Sequence, residues 1–152
     1  MIDIKVQKSV MIDLPTPEVF AYVCDVENML DWSSTTISIR RISPGAMCAG
    51  ATVRSTFRFL GRWLNVDFEV VEYSHGRCLT FKSIAGSPPS LFCYLFEPVD
   101  GGGTVVTEEA VVQLVGSAAD RTNPVVSSAV TRQIEYDLQT LKEMLEAGIE
   151  LF

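Results

Sequence analysis

Few residues in this 152-residue chain combine the type and the spacing that chemistry needs. The one histidine, His75, stands in Ser74-His75-Gly76-Arg77, a turn-forming run where solvent is close. A general base needs a partner and partial burial, so His75 reads as an exposed turn residue. Asp67, Glu69, Glu108 and Glu109 are the candidate acids, since paired carboxyls do acid–base work when they are buried together. Glu108 and Glu109 are adjacent, so on a strand they point to opposite faces and one of them enters an interior. The sequence does not say which. Gly101-Gly102-Gly103 leads into the strand-like run Thr104-Val105-Val106, whereas a phosphate cradle leads into a helix N-terminus. It reads as a turn. No serine stands in a nucleophile elbow, and one turn histidine does not readily assemble a Ser/His/Asp or Cys/His set. Cys24, Cys48, Cys78 and Cys93 include no closely spaced pair. They read as small buried hydrophobes, and neither a zinc or iron site nor a cofactor is expected.

The elements that position these groups follow from periodicity. A first strand is expected over roughly Ile4 to Leu14. Thr16 is then the expected N-cap, with Pro17 at the first helical position and Glu18 complementing the positive helix end. Val19, Phe20, Val23 and Val26 form an apolar stripe to about Glu27, and the run from Glu27 to Trp32 reads as a further helical turn. A strand at about Thr35 to Ile42 follows. The segments around Val53 and Val66 flank Leu60-Gly61, a short hairpin connection. With those two residues as the turn, facing positions sum to 121. Val53 meets Phe68 and Phe57 meets Leu64 on one face; Arg54 meets Asp67 and Thr52 meets Glu69 on the other. The pairing makes Asp67 and Glu69 members of a solvated polar face. Further strands, starting at Cys78, Leu91 and Thr104, continue in meander order. A long closing helix is expected from an Asn123 cap and Pro124, with Val126, Val130, Ile134, Leu138, Leu141 and Leu145 as its stripe and Gly148 as its stop.

Hydrophobic residues make up 47% and charged residues 20%, the composition of a globular chain, and the length suits one domain over residues 1–152. The net charge is −7, with no basic cluster beyond Arg40-Arg41, so a nucleic-acid partner is not expected. No apolar run reaches about 18 residues, the length of a membrane span, and the first ten residues lack the apolar block of a signal peptide. A cytoplasmic location is expected.

One stretch carries a resemblance. Ile12 to Trp32, "IDLPTPEVFAYVCDVENMLDW", resembles the opening of the START-related polyketide cyclase/dehydrase and lipid-transport superfamily. "FEPVDGGGTVVT" is similar to that family's late hairpin and "LKEMLE" to its closing helix. The resemblance spans nearly the whole chain and implies an α+β helix-grip fold. In that fold a curved antiparallel sheet of about seven strands wraps a long C-terminal helix, and two short helices lie between strands 1 and 2. It implies a cavity between sheet and helix, with Trp32 near the mouth as an end plug or gate.

The expected cavity residues are Trp32, Phe57, Phe68, Phe81, Tyr94, Val130 and Ile134. Ser55, Ser83, Tyr94 and Thr107 are the candidates for its few polar groups. The expected function is binding or transport of a hydrophobic small molecule: a lipid, an isoprenoid quinone or a polyketide-like aromatic. A polyketide aromatase/cyclase or dehydratase is the first alternative and a protein-interaction module the second. A buried Arg, Asp or Glu paired with a tyrosine inside the cavity favours the enzyme; a closed, wholly apolar cavity favours the carrier; a narrow, filled cavity with a large exposed apolar patch favours the interaction module. Oligomeric state stays open, with a homodimer among the possibilities.

Overall fold

The computed structural model describes residues 2–114, 116 and 119–148. Among them, seven strands form one antiparallel sheet: β1 (Ile2–Ile12), β2 (Thr36–Arg41), β3 (Thr52–Phe59), β4 (Arg62–Ser74), β5 (Cys78–Gly86), β6 (Ser90–Pro98) and β7 (Thr104–Leu114). The spatial order is β1-β7-β6-β5-β4-β3-β2. The first two strands in the chain are thus the two edges of the sheet. Whatever joins them must cross from one edge to the other. That connection is α1 (Thr16–Cys24), a 3₁₀ turn at Val26–Asn28 and α2 (Met29–Trp32). The helical segment after the first strand therefore closes one end of a curved sheet. The closing helix, α3 (Ala119–Glu146), packs chiefly along β1. This is the helix-grip fold.

The β3–β4 hairpin has the expected register, from Thr52↔Glu69 to Phe59↔Arg62. Leu60 and Gly61 both have positive φ, 50° and 75°, as the type I′ turn that matches strand twist requires. Its outer face carries the Arg54–Asp67 ion pair at 3.1 Å and a Thr56–Asn65 hydrogen bond at 2.8 Å. Bulges break the β4–β5 register between Asp67 and Phe68 and between Val70 and Glu72, and bulges of this kind bend a sheet. At the first of them Gly86 (φ 96°) lies against the Asn65 carbonyl, so close that a Cβ there would be 2.1 Å from the oxygen.

Two helix starts differ from expectation. Thr16 is the first residue of α1 rather than its cap; Pro15 holds the cap position, and its carbonyl accepts from the Glu18 and Val19 amides. The Thr16 hydroxyl is committed elsewhere, to Thr104 Oγ1 at 2.9 Å. α3 begins at Ala119, so Pro124 lies inside the helix rather than at its first turn. As the sixth helical residue it lies past the unpartnered first amides, so its missing N–H leaves the carbonyl of residue 120 without its i+4 donor and the helix gives up one intrahelical bond there. The other end is tied to β1: Lys142 Nζ donates to the Met11 carbonyl at 2.7 Å, and the Asp13 amide donates to Glu146 at 2.8 Å. Gly148 (φ 57°) follows the last turn, as expected of a C-terminal stop.

Val19, Phe20, Val23, Val26, Val130, Ile134, Leu138 and Leu141 are all buried in one continuous core with the inner faces of the strands. Each such side chain contributes about 1.5–3 kcal/mol, so the stripes alone hold the helices to the sheet. Among the described residues, no helix is long and apolar enough to cross a membrane.

Candidate functional site: a cavity with a polar inner end

Between α3 and the inner face of the sheet lies a cavity of about 810 Å3. Trp32, Phe57, Phe68, Phe81, Tyr94, Val130 and Ile134 all line it. One wall is a chain of edge-to-face aromatic contacts. Phe57 meets Phe68 at 6.2 Å between centroids, Phe68 meets Phe81 at 6.3 Å, Phe81 meets Tyr94 at 6.3 Å, and Tyr94 meets Trp32 at 6.2 Å. Such pairs keep their faces available and their rotamers fixed, which suits a preformed apolar wall.

The two ends of the cavity differ. Leu60 and Val125, both more than half exposed, lie at one end with Arg62, Pro88 and Thr122, so the mouth opens between the β3–β4 turn, the β5–β6 turn and the first turns of α3. Trp32 is elsewhere. At 2% exposure it belongs to the buried inner wall, not to the mouth, because α2 packs between β2 and α3. Its indole Nε1–H is buried and has no hydrogen-bond partner among the described residues. A buried, unpaired donor is costly, of the order of 1–3 kcal/mol, unless something accepts from it.

The inner end is also where the acids converge. Tyr94 and Glu108 face each other in direct register on β6 and β7, and both point inward. Glu109, on the opposite face, is outside the cavity beside Cys93. The Tyr94 phenol lies beside the Glu108 carboxyl and partly offsets the rise in its pKa. Burial pushes Glu108 from its ordinary 4.5 up to about 8, and the nearby Asp137 carboxyl adds to the rise, so Glu108 is largely protonated at neutral pH. The Tyr94 phenol is raised well above 10 by burial and by these same carboxyls. Asp137, on α3, is raised by burial; its partly compensating hydrogen bonds come from the Ser34 amide at 2.9 Å and Gln133 Nε2 at 3.4 Å. Gln133 also donates to Thr35 Oγ1 at 2.9 Å. The arrangement is a cluster of donors and protonatable groups at the closed end of an apolar space, able to hold or exchange a proton with an oxygen atom placed there.

Of the four residues expected to supply polar groups, only Tyr94 lines the cavity. The buried Ser55 hydroxyl donates to the Val66 carbonyl across the hairpin at 2.7 Å. Ser83 Oγ accepts from the Ser90 amide, and Thr107 faces outward to Ser9 Oγ at 2.7 Å. His75 is exposed in its turn, with its ring edge against Phe20 and its Nδ1 3.3 Å from the Tyr73 hydroxyl. Asp137 and Gln133 were missed. Their signal was available: they stand three residues beyond Val130 and Ile134, on the edge of the same helical stripe.

A family model described as polyketide cyclase / dehydrase and lipid transport matches residues 3–146. The chain belongs to that family. Its fold recurs in solved structures of low sequence identity. The protein TTHA0849 from Thermus thermophilus superposes with a TM-score of 0.83 at 19% identity, covering 96% of this chain and 99% of that one. The Zhui aromatase/cyclase from Streptomyces sp. R1128 gives 0.78 at 16% identity, covering 98% and 97%. A START superfamily protein from Mycobacterium smegmatis gives 0.78 at 13% identity, covering 94% and 97%. At these identities the likeness shows a shared fold, and nothing finer is transferred. A comparison with curated protein sequences finds no match.

Proposed function

We propose that this family member binds a mostly apolar small molecule carrying an oxygen function at its leading end. The observation that carries the reading is the cavity's asymmetry: an aromatic and aliphatic tunnel of about 810 Å3, closed by Tyr94 and the largely protonated Glu108. From Thr122 at the mouth to Asp137 at the closed end is 15 residues of helix, about 22 Å at 1.5 Å per residue. That depth suits an elongated or multi-ring ligand rather than a compact one. Burying about 300 Å2 of such a ligand is worth several kcal/mol at ~25 cal/mol/Å2 before ordering costs.

The Glu108–Tyr94 pair also supports the enzyme reading, a polyketide cyclase or dehydratase. A protonated carboxyl beside a phenol can donate to a carbonyl oxygen, or to a hydroxyl leaving as water, in a space that excludes solvent. A space this large, not filled by side chains, counts against a purely protein-binding module. Native mass spectrometry of the protein purified from its host tests the binding reading, by whether a ligand with a long apolar part and a carbonyl or hydroxyl group co-purifies. Incubation with a poly-β-keto thioester then tests the enzyme reading. Loss of water or ring closure that disappears in Glu108→Gln supports it; unchanged substrate at full binding leaves the carrier.

A further inference from the structure

On the face of the sheet away from the cavity, three strands bring together a set of soft and hard ligand atoms. Glu72 on β4 pairs with Thr80 on β5, and Thr80 pairs with Cys93 on β6. Cys78 is two residues before Thr80, so it shares the outward face. The Cys78 and Cys93 sulfurs and a Glu72 carboxylate oxygen all lie within 4.8 Å of one another. The Cys78 thiol donates to Glu72 Oε1 at 3.1 Å, and the Thr80 hydroxyl donates to the same oxygen at 3.1 Å.

Both thiols are buried at 8% exposure, yet neither belongs to the continuous apolar core. The helices pack on the other side, where Phe20 of α1 meets Phe96 at 5.0 Å. Packing into the core therefore does not account for two cysteines on this face. We propose that Glu72, Cys78 and Cys93 form a site for a zinc-class divalent cation, with a fourth position open to water. Zinc–sulfur bonds of about 2.3 Å and zinc–oxygen bonds of about 2.0–2.2 Å put tetrahedral ligand atoms roughly 3.5–3.8 Å apart. The separations here bracket that range, and rotation of exposed Glu72 closes the rest. On binding, each thiol releases its proton to solvent and the S–H···O hydrogen bond gives way to metal–ligand bonds. Sequence spacing hides such a site, because its ligands come from three strands rather than from one closely spaced pair.

The test is titration of the reduced, metal-free full-length protein with cadmium(II), followed by thiolate-to-metal charge-transfer absorption in the ultraviolet. One equivalent is expected to saturate the band. Cys78→Ser and Cys93→Ser should each abolish it, Glu72→Gln should weaken affinity about tenfold or more, and Cys24→Ser with Cys48→Ser should leave it unchanged. Far-UV circular dichroism checks that each variant folds; Glu72→Gln, on an exposed side chain, reads the site if a serine variant does not. Absence of a saturable band overturns the proposal. So does a band that survives Cys78→Ser and Cys93→Ser, or an affinity unmoved by Glu72→Gln.

Discussion

Tyr94 and Glu108 stand opposite each other on adjacent strands, and both side chains turn into the cavity rather than out of it. The alternation of the strand makes this a discrete choice. Had β7 been shifted by one residue, Glu109 would face inward and the cavity would lose its protonated carboxyl.

The first consequence is a pH dependence with a definite sign. Glu108 is raised in the folded state from 4.5 to about 8, so the native state holds this proton where the unfolded chain has lost it. Stability linked to this group is fully present below about pH 4.5 and is lost as pH rises through about 8, by several kcal/mol in all. Glu108→Gln should flatten that part of the stability–pH curve and melt higher than the wild type at pH 9. Thermal melts of both proteins from pH 5 to 9 check it; parallel curves would show that Glu108 is ionised in the fold.

Trp32 separates packing from hydrogen bonding. At 2% exposure, Trp32→Ala should destabilise by about 3–5 kcal/mol through the cavity it leaves. Trp32→Phe keeps the ring contact with Tyr94 and removes the unpaired N–H, so its stability cost should stay below that of alanine by about 2 kcal/mol. Because the Nε1–H is sealed from the cavity, an oxygen-bearing ligand and a pure hydrocarbon should lose affinity for Trp32→Phe to a similar, modest degree. Urea melts and paired ligand titrations distinguish these outcomes.

Gly86 tests the bulge that bends the sheet. A methyl group there meets the Asn65 carbonyl oxygen at 2.1 Å on a backbone with φ 96°. Gly86→Ala should cost about 2–4 kcal/mol, combining left-handed strain with backbone displacement. Chemical denaturation measures it directly, and a change below about 0.5 kcal/mol would mean that the β4–β5 pairing is looser than described.

At the mouth, Leu60 holds φ 50° in the hairpin turn, a conformation that a leucine adopts at a cost. Leu60→Asn should raise stability by about 0.5–1 kcal/mol, since asparagine tolerates that region. It should also weaken an apolar ligand modestly if the rim takes part in binding. Differential scanning calorimetry with and without ligand reads both effects.

Much of this was legible in the residues. The Leu60-Gly61 turn set the hairpin register, and with it the outward Arg54–Asp67 pair and the inward Phe57 and Phe68. The α3 stripe was equally plain, because spacings of three and four over many turns leave little choice of face. What could not be read was the register of consecutive strands joined by turns of unspecified geometry. Both ladders are regular, so the pairing of Tyr94 with Glu108, and of Thr80 with Cys93, turns on the length and shape of the two connecting turns, which composition alone does not fix. The position of Trp32 depended on how tightly the crossing segment folds under the sheet, which is a tertiary matter. Asp137 went unnoticed because an acid on the flank of an apolar stripe looks like the edge of a solvated face.

The central claim is that the space between sheet and α3 takes up an apolar ligand whose oxygen end reaches Tyr94 and Glu108, beside the Trp32 ring. The chain has two tryptophans, and the other, Trp63, is 61% exposed on the hairpin. A Trp63→Phe variant therefore leaves Trp32 as the sole reporter inside the cavity. Its fluorescence, titrated with a multi-ring phenol such as a hydroxyanthraquinone, is predicted to quench saturably at one ligand per chain, with affinity reduced at least tenfold by Val130→Glu on the facing helix. Folded protein whose Trp32 emission shows no saturable response to this ligand, or to a long-chain fatty acid carrying a quenching group, would contradict the account.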